Sequence, residues 1–271
     1  MHRESAAYVA VTTGRGAGVG PLTANLLKRY KALATAKGRR ESGLFLVEGH
    51  RAIKQIIASR PDAIVEILAT EELAPRYRGQ AVRIVSQRQC ESICSTKTPQ
   101  GAVAVVHQPA NVDADRLPEP VGTHVLLLED VQDPGNVGTL VRTAAAFNYS
   151  GVVLSDGCAD PFSPKSVQAA SGTVLSVWIR RTRTYLGLVK ALKDCGYLVA
   201  TADVHGEDEP SVLRDRDRLL FAIGNEASGP SPALIALSDH RFRIPVRGER
   251  AESLNVAACG AIGMYLSSRL A

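Results

Sequence analysis

Asn136, Arg142, Glu226, Ser253 and Asn255 are the polar residues of this chain whose setting suggests chemistry. Each lies in or just beyond a glycine-bearing loop that follows a short apolar run: DVQDPGNVGTLVRTAAAF (130–147), FAIGNEASGPS (221–231) and IPVRGERAESLNVAACGAIGMYL (244–266). In the first, Asp133, Pro134, Gly135 and Asn136 break a strand and cap a helix with Val137, Leu140, Val141 and Ala144 on its apolar side. Gly138 and Arg142 fall on one face of that helix, so the glycine leaves room beside a guanidinium whose fork suits a phosphate or ribose. A salt bridge is the alternative role for Arg142. In the second loop Gly224 and Gly229 are spaced as in a phosphate loop, but Pro230 replaces the lysine, which argues against a nucleoside triphosphate. Those glycines let backbone approach a ligand, and Asn225 with Glu226 fix the loop or bind polar groups. In the third, Ser253 and Asn255 sit at a helix start, where free N–H groups favour a ligand, and Leu254, Ala257, Ala258, Ala261, Ile262, Tyr265 and Leu266 form the core face. Three such loops predict one composite pocket at the carboxyl edge of a parallel sheet.

Two units must position those loops. Residues 1–21 read as a flexible leader, since GRGAGVG at 14–20 has Val19 where a dinucleotide loop needs its third glycine. A small alternating α/β unit spans 22–108: a helix from Leu22 to about Ala36, a basic turn in GRRESG, strands at 44–47, 63–68, 82–85 and 101–108, and helices near 52–57 and 87–93. The Pro- and Asp-rich stretch 109–123 reads as a linker. Strands are then expected at 124–128, 151–154, 174–179, 197–201, 218–223 and 241–244, alternating with helices as in a parallel sheet covered on both faces.

The chain has 271 residues and a net charge of +5, unevenly spread: residues 1–110 hold 16 Lys and Arg against 8 Asp and Glu, the remainder 16 against 19. Lys28, Arg29, Lys31, Lys37, Arg39, Arg40, Arg51 and Lys54 would attract a polyanion, or form a solvated helix face. No apolar run approaches the roughly 20 residues of a membrane span, and no signal pattern opens the chain, which reads as a cytoplasmic protein. Five scattered cysteines and six histidines fit neither a disulfide framework nor a metal site, so no metal is expected.

Taken in order, DPGNVGTLVRTAAAF, FAIGNEASGPS and IPVRGERAESLNVAA resemble the three motifs of the SpoU (TrmH) branch of the SPOUT RNA methyltransferases, over residues 124–270. GRRESGLFLVEG resembles the small ribosomal-protein-like substrate-binding domain that often precedes them. The resemblance implies an α/β protein: a C-terminal SPOUT methyltransferase domain, 124–271, with a parallel sheet and a deep trefoil knot, behind a small α/β RNA-binding domain, 22–108. It implies S-adenosyl-L-methionine as cofactor and an obligate homodimer. It places Asn136, Arg142, Glu226, Ser253 and Asn255 in the catalytic set. Gly224, Ile244 and Leu254 would border the cofactor, with Thr201, Ala202, Asn225, Gly229, Val246 and Ser253 beside them. Lys37, Arg39, Arg40 and Arg142 would meet RNA. The implied reaction is methylation of a ribose 2′-hydroxyl, with 23S ribosomal RNA the first choice of substrate. Transfer RNA, or a non-catalytic RNA-binding or ribosome-assembly role on the same fold, are the alternatives.

Overall fold

The computed structural model describes residues 20–96, 98–247 and 253–268. Most of the expected leader, residues 1–19, lies outside the described residues, as do 248–252 of the third loop. The first helices, α1 (Ala24–Ala32) and α2 (Ala36–Ser42), each open on a threonine whose hydroxyl accepts a first-turn amide: Thr23 from Leu26 at 3.3 Å and Thr35 from Gly38 at 3.1 Å. The segment expected as a basic turn is therefore mostly helix, capped in front by Thr35 and behind by Gly43 at φ 66°. Then follow β1 (Leu44–Glu48), α3 (His50–Ser59), β2 (Ile64–Ala69), β3 (Val82–Ile84), α4 (Gln87–Glu91) and β4 (Ala102–His107). Their strands form a four-stranded sheet in the order β1-β4-β2-β3.

Residues 109–123 hold no strand or helix. Beyond them come β5 (His124–Leu128), α5 (Pro134–Ala146), β6 (Gly151–Ser155), α6 (Pro164–Ala170), β7 (Trp178–Thr182), α7 (Tyr185–Asp194), β8 (Leu198–Ala202), β9 (Leu219–Ile223), α8 (Pro232–Leu237), β10 (His240–Phe242) and α9 (Val256–Ser267). The six strands are all parallel, in the order β10-β8-β9-β5-β6-β7. Val125 to Leu128 and Leu219 to Ala222 are 0% exposed, so the central strands are covered on both faces and their sequences run continuously apolar. Each such Val, Leu or Phe side chain contributes roughly 1.5–3 kcal/mol by leaving water.

Three expectations are corrected. The strand placed at 174–179 begins only at Trp178; Ser171 (φ 51°) and Gly172 (φ 87°) end α6 abruptly, and Thr173–Leu175 follows as a buried single turn. The strand placed at 241–244 stops at Phe242, leaving Ile244 beyond the sheet. The buried face of α9 is Val256, Ala257, Gly260, Gly263, Met264 and Ser267, not the side containing Ala258, Ile262 and Tyr265. A Cβ on Gly260 would lie 2.2 Å from Leu140, and one on Gly263 would lie 2.4 Å from the Phe221 ring, so the glycines set how close α9 sits.

The two sheets share one core, in which Phe45 of β1 meets Phe162, just ahead of α6, at 5.0 Å between ring centroids. Among the described residues no helix is long and apolar enough to cross a membrane, and no group of three or more His, Cys, Asp or Glu is placed to hold a metal.

Candidate active site

The loops after β5 and β9 start side by side, because Leu128 pairs in register with Ile223. Side chains then lace them together. Glu129, 8% exposed, accepts from the amide and hydroxyl of Ser231 at 2.7 and 2.8 Å. Asn225 donates through Nδ2 to the carbonyl of Asp130 at 2.8 Å. Glu226 accepts from the amides of Gln132 and Asp133 at 3.0 and 3.1 Å, and from Nδ2 of Asn136 at 3.1 Å. Partial loss of water contact pushes the pKa of the exposed Glu226 carboxyl upward, but these donors outweigh it and hold the group below the usual carboxylate value. The sequence reading missed Glu129; its signal was an acid closing the apolar run HVLLL, where only a hydrogen-bonded carboxylate is tolerated.

Asn255 is the N-cap of α9, its Oδ1 accepting from the amides of Ala257 and Ala258 at 2.9 and 3.3 Å. That fixes the orientation of its amide, so Nδ2 donates to Oδ1 of Asn136 at 3.3 Å, while Nδ2 of Asn136 faces Glu226. Asn255, Asn136 and Glu226 thus form one directional chain across all three loops. Ser253 and Leu254 precede α9 and are exposed; Leu254, expected in the helix core, lies outside it because the helix starts at Val256.

Asp133 caps α5 through Oδ1, which accepts from the amides of Gly135 and Asn136 at 2.6 and 3.1 Å. Its Oδ2 accepts from Lys165 at 2.7 Å, and that ammonium holds the carboxyl below its usual range. Gly138 does not open space for a phosphate. A Cβ there would lie 2.1 Å from the carbonyl oxygen of Ser166, so the room is taken by α6. Arg142, one turn on and about 40° round the axis, emerges exposed beside that contact, with no hydrogen bond or ion pair among the described residues.

Gly224 also owes its identity to protein, since a Cβ would sit 2.2 Å from the nitrogen of Pro230. The loop closes on itself through paired backbone bonds between Asn225 and Gly229, with Gly229 at φ 71° and Oδ1 of Asn225 accepting from Ala227 and Ser228. Asn225 is therefore committed to the loop.

The family described as "SpoU rRNA Methylase family" matches residues 123–265, and "MRM3-like substrate binding domain" matches 24–104. This chain belongs to the SpoU rRNA methylase family. It is 33% identical to the 23S rRNA (guanosine(2553)-2′-O)-methyltransferase RlmP of Bacillus subtilis, over 88% of this chain and 94% of that one. Among solved structures, a TrmH-family protein from Porphyromonas gingivalis superposes with a TM-score of 0.79 at 31% identity, covering 92% of this chain and 99% of the other. The SpoU methyltransferase AviRb of Streptomyces viridochromogenes, solved with AdoMet, gives 0.77 at 26% identity, covering 90% and 97%.

In this SpoU-family chain Ala202, Gly224 and Ile244, three of the residues expected around a cofactor, lie at or just beyond the carboxyl ends of β8, β9 and β10. Ala202, Ile223 and Phe242 pair at one level, so the residues that follow them, including Gly224 and Ile244, open their loops together. Thr201 is fully buried and its hydroxyl meets that of Ser238 at 2.6 Å, so it acts inside the sheet. Val246 and Leu254 leave 40% and 37% of their surface exposed. Small and apolar side chains fit an adenosyl ligand better than a phosphate.

Of the residues expected to meet RNA, Lys37 and Arg40 are exposed, and Lys37 is 3.8 Å from Glu41. Arg39 is corrected. It is 4% exposed, donates from Nε and Nη2 to Oδ2 of Asp160 at 3.0 and 2.6 Å, and from Nη1 to the carbonyls of Leu33 and Ala34 at 2.9 and 3.0 Å. Its donors are consumed inside the protein. A separate hollow of about 400 Å³ lies at the opposite edge of the sheet, lined by Thr123, Phe147, Asn148, Arg218 and Ser267 among others, and includes none of Asn136, Arg142, Glu226, Ser253 and Asn255.

Proposed function

We propose that this protein is an S-adenosylmethionine-dependent methyltransferase that methylates a ribose 2′-hydroxyl of 23S ribosomal RNA in the cytoplasm. The observation that carries this reading is the Asn255–Asn136–Glu226 chain, which ties three loops distant in sequence to one another. The likeness to RlmP supports the choice of ribosomal RNA, and the match to a substrate-binding domain supports RNA recognition by the front unit.

Gly224, Gly229, Ile244, Val246, Ser253 and Leu254, with Ala202 on β8, would hold the cofactor at the carboxyl edge; when bound it supplies a methyl group on a positively charged sulfur. The work left to the chain is alignment, which can supply much of the acceleration of such a transfer. Arg142 grips the phosphate next to the target ribose with its planar fork and stabilises negative charge as the 2′-hydroxyl gives up its proton to water or a neighbouring group. A guanidinium with a pKa above about 12 is a poor base, so this role is electrostatic. Asn136 and Asn255 hold the loops that flank the ribose, and Glu226 anchors Asn136.

The C-terminal segment is read as threaded into a deep trefoil knot, and the protein as a homodimer. Supporting the dimer, α9 presents Ile262 and Tyr265 at 38% and 66% exposure, with Leu254 just ahead of it, a face that a second copy would cover. Incubating the protein with 23S ribosomal RNA and methyl-labelled S-adenosylmethionine should give label in alkali-resistant dinucleotides, because a 2′-O-methyl blocks backbone cleavage. Label in bases only, label confined to transfer RNA controls, or no calorimetric uptake of the cofactor would defeat the reading.

A further inference from the structure

We propose that Arg39 and Asp160 form a clamp that sets the register between the RNA-reading unit and the methyl-transfer site, and so determines which ribose is modified. The inference rests on the methyltransferase reading above. Arg39 belongs to α2 and Asp160 to the loop ahead of α6, 121 positions apart, and the 2.6 Å contact joins the two units. Three further observations make α6 the spacer on which this contact acts. Phe162, two residues after Asp160, packs on Phe45 of β1. At the far end of α6, Gly172 meets α3 so closely that a Cβ would lie 2.5 Å from the carbonyl oxygen of Ala52. On its other side α6 touches α5 through Gly138, beside which Arg142 emerges. Ser166, Val167 and Ala170 of α6 are at most 2% exposed, so the helix is wedged between the RNA-reading unit and the helix of Arg142. Packed interiors transmit displacement because they have little room to absorb it.

The pair also has a division of labour that permits a clean test. Arg39 closes the turn between α1 and α2 through two carbonyls, and Asp160 Oδ1 accepts from the amide of Phe162 at 2.8 Å. Asp160→Asn retains an oxygen for Phe162 and presents an amide where Arg39 needs an acceptor. It therefore removes the clamp while sparing both local turns. Arg39→Lys, the second variant, keeps the charge but loses the fork. Arg39 and Asp160 are positioning residues; neither is placed against the reacting atoms.

For Asp160→Asn, we expect S-adenosylmethionine affinity by calorimetry to stay within about twofold, while kcat/KM on RNA falls about tenfold or more, as a small misalignment would produce. Mapping of 2′-O-methyl positions should show label spreading from one ribose to its neighbours, an effect that simple loss of folded protein would not give. Arg39→Lys should fall between wild type and Asp160→Asn on both measures. Hydrogen exchange should speed up at β1, α2 and α6 and stay unchanged at β5 and β9. Faster exchange there with a single methylated position at the wild-type rate would overturn the proposal, as would unchanged exchange. A wild-type protein that labels no RNA would instead defeat the methyltransferase reading, with the exchange experiment still reporting whether the clamp exists.

Discussion

Replacing Glu226 by alanine removes the acceptor for Gln132 N, Asp133 N and Asn136 Nδ2, all at 3.0–3.1 Å. The carboxylate is exposed, so water recovers part of each bond and a value of ~0.5 kcal/mol per bond, at the low end of the usual range, is appropriate. The sum is about 1.5 kcal/mol, or a fall of about 3–6 °C in Tm at the sensitivity of a domain of this size. Glu226→Gln should cost less. Oε1 holds two of the three bonds and is retained, whereas an amino group replaces Oε2 and faces the amide of Gln132, for a loss of about 0.5–1 kcal/mol. The effect on transfer should exceed the effect on stability, because Asn136 loses the anchor that connects it to Asn255; a fall in kcat of about tenfold to a hundredfold is expected for alanine. The sign of the pH dependence also follows. The folded-state pKa of Glu226 is depressed, so its contribution is complete above the ordinary glutamate value of about 4.3 and is lost as pH falls through the folded-state value. The Tm gap between wild type and Glu226→Ala should therefore close in acid and persist at neutral pH. Differential scanning calorimetry across that range, with single-turnover methylation at neutral pH, checks both. Equal Tm and equal rates in wild type, Gln and Ala would refute the claim that this carboxylate ties the loops.

Arg142→Lys should leave Tm within about 1 °C, since Arg142 makes no bond among the described residues, yet reduce kcat/KM for RNA by about a hundredfold through loss of bidentate phosphate contact. Gly224→Ala drives a Cβ to within 2.2 Å of the backbone at Pro230, which only a shift of the loop can relieve, and calorimetry should show S-adenosylmethionine uptake abolished or weakened at least about tenfold. Ile262→Glu places a charge on the exposed apolar face of α9, and light scattering should show dimers for the wild type and monomers for the variant, with the circular dichroism spectrum unchanged.

The residues that do local work could be read from the amino-acid order. Asp133 and Asn255 cap helices because short polar side chains reach the free amides of a first turn, and the apolar runs at 124–128 and 219–223 are central strands because both faces of a parallel sheet exclude water. What those residues meet was decided by the tertiary structure. α9 is apolar nearly all round, so no periodic pattern marks its buried side; the choice fell to Gly260 and Gly263, whose missing side chains admit Leu140 and Phe221. Gly138 looked like room for a ligand and proved to be room for α6. Arg39 and Arg40 are neighbours of identical chemistry, one sealed against Asp160 and one facing solvent. Spacing along a helix tells which way a side chain leaves the axis, but whether it meets water, RNA or a carboxylate 121 residues away depends on contacts made only when the two sheets come together.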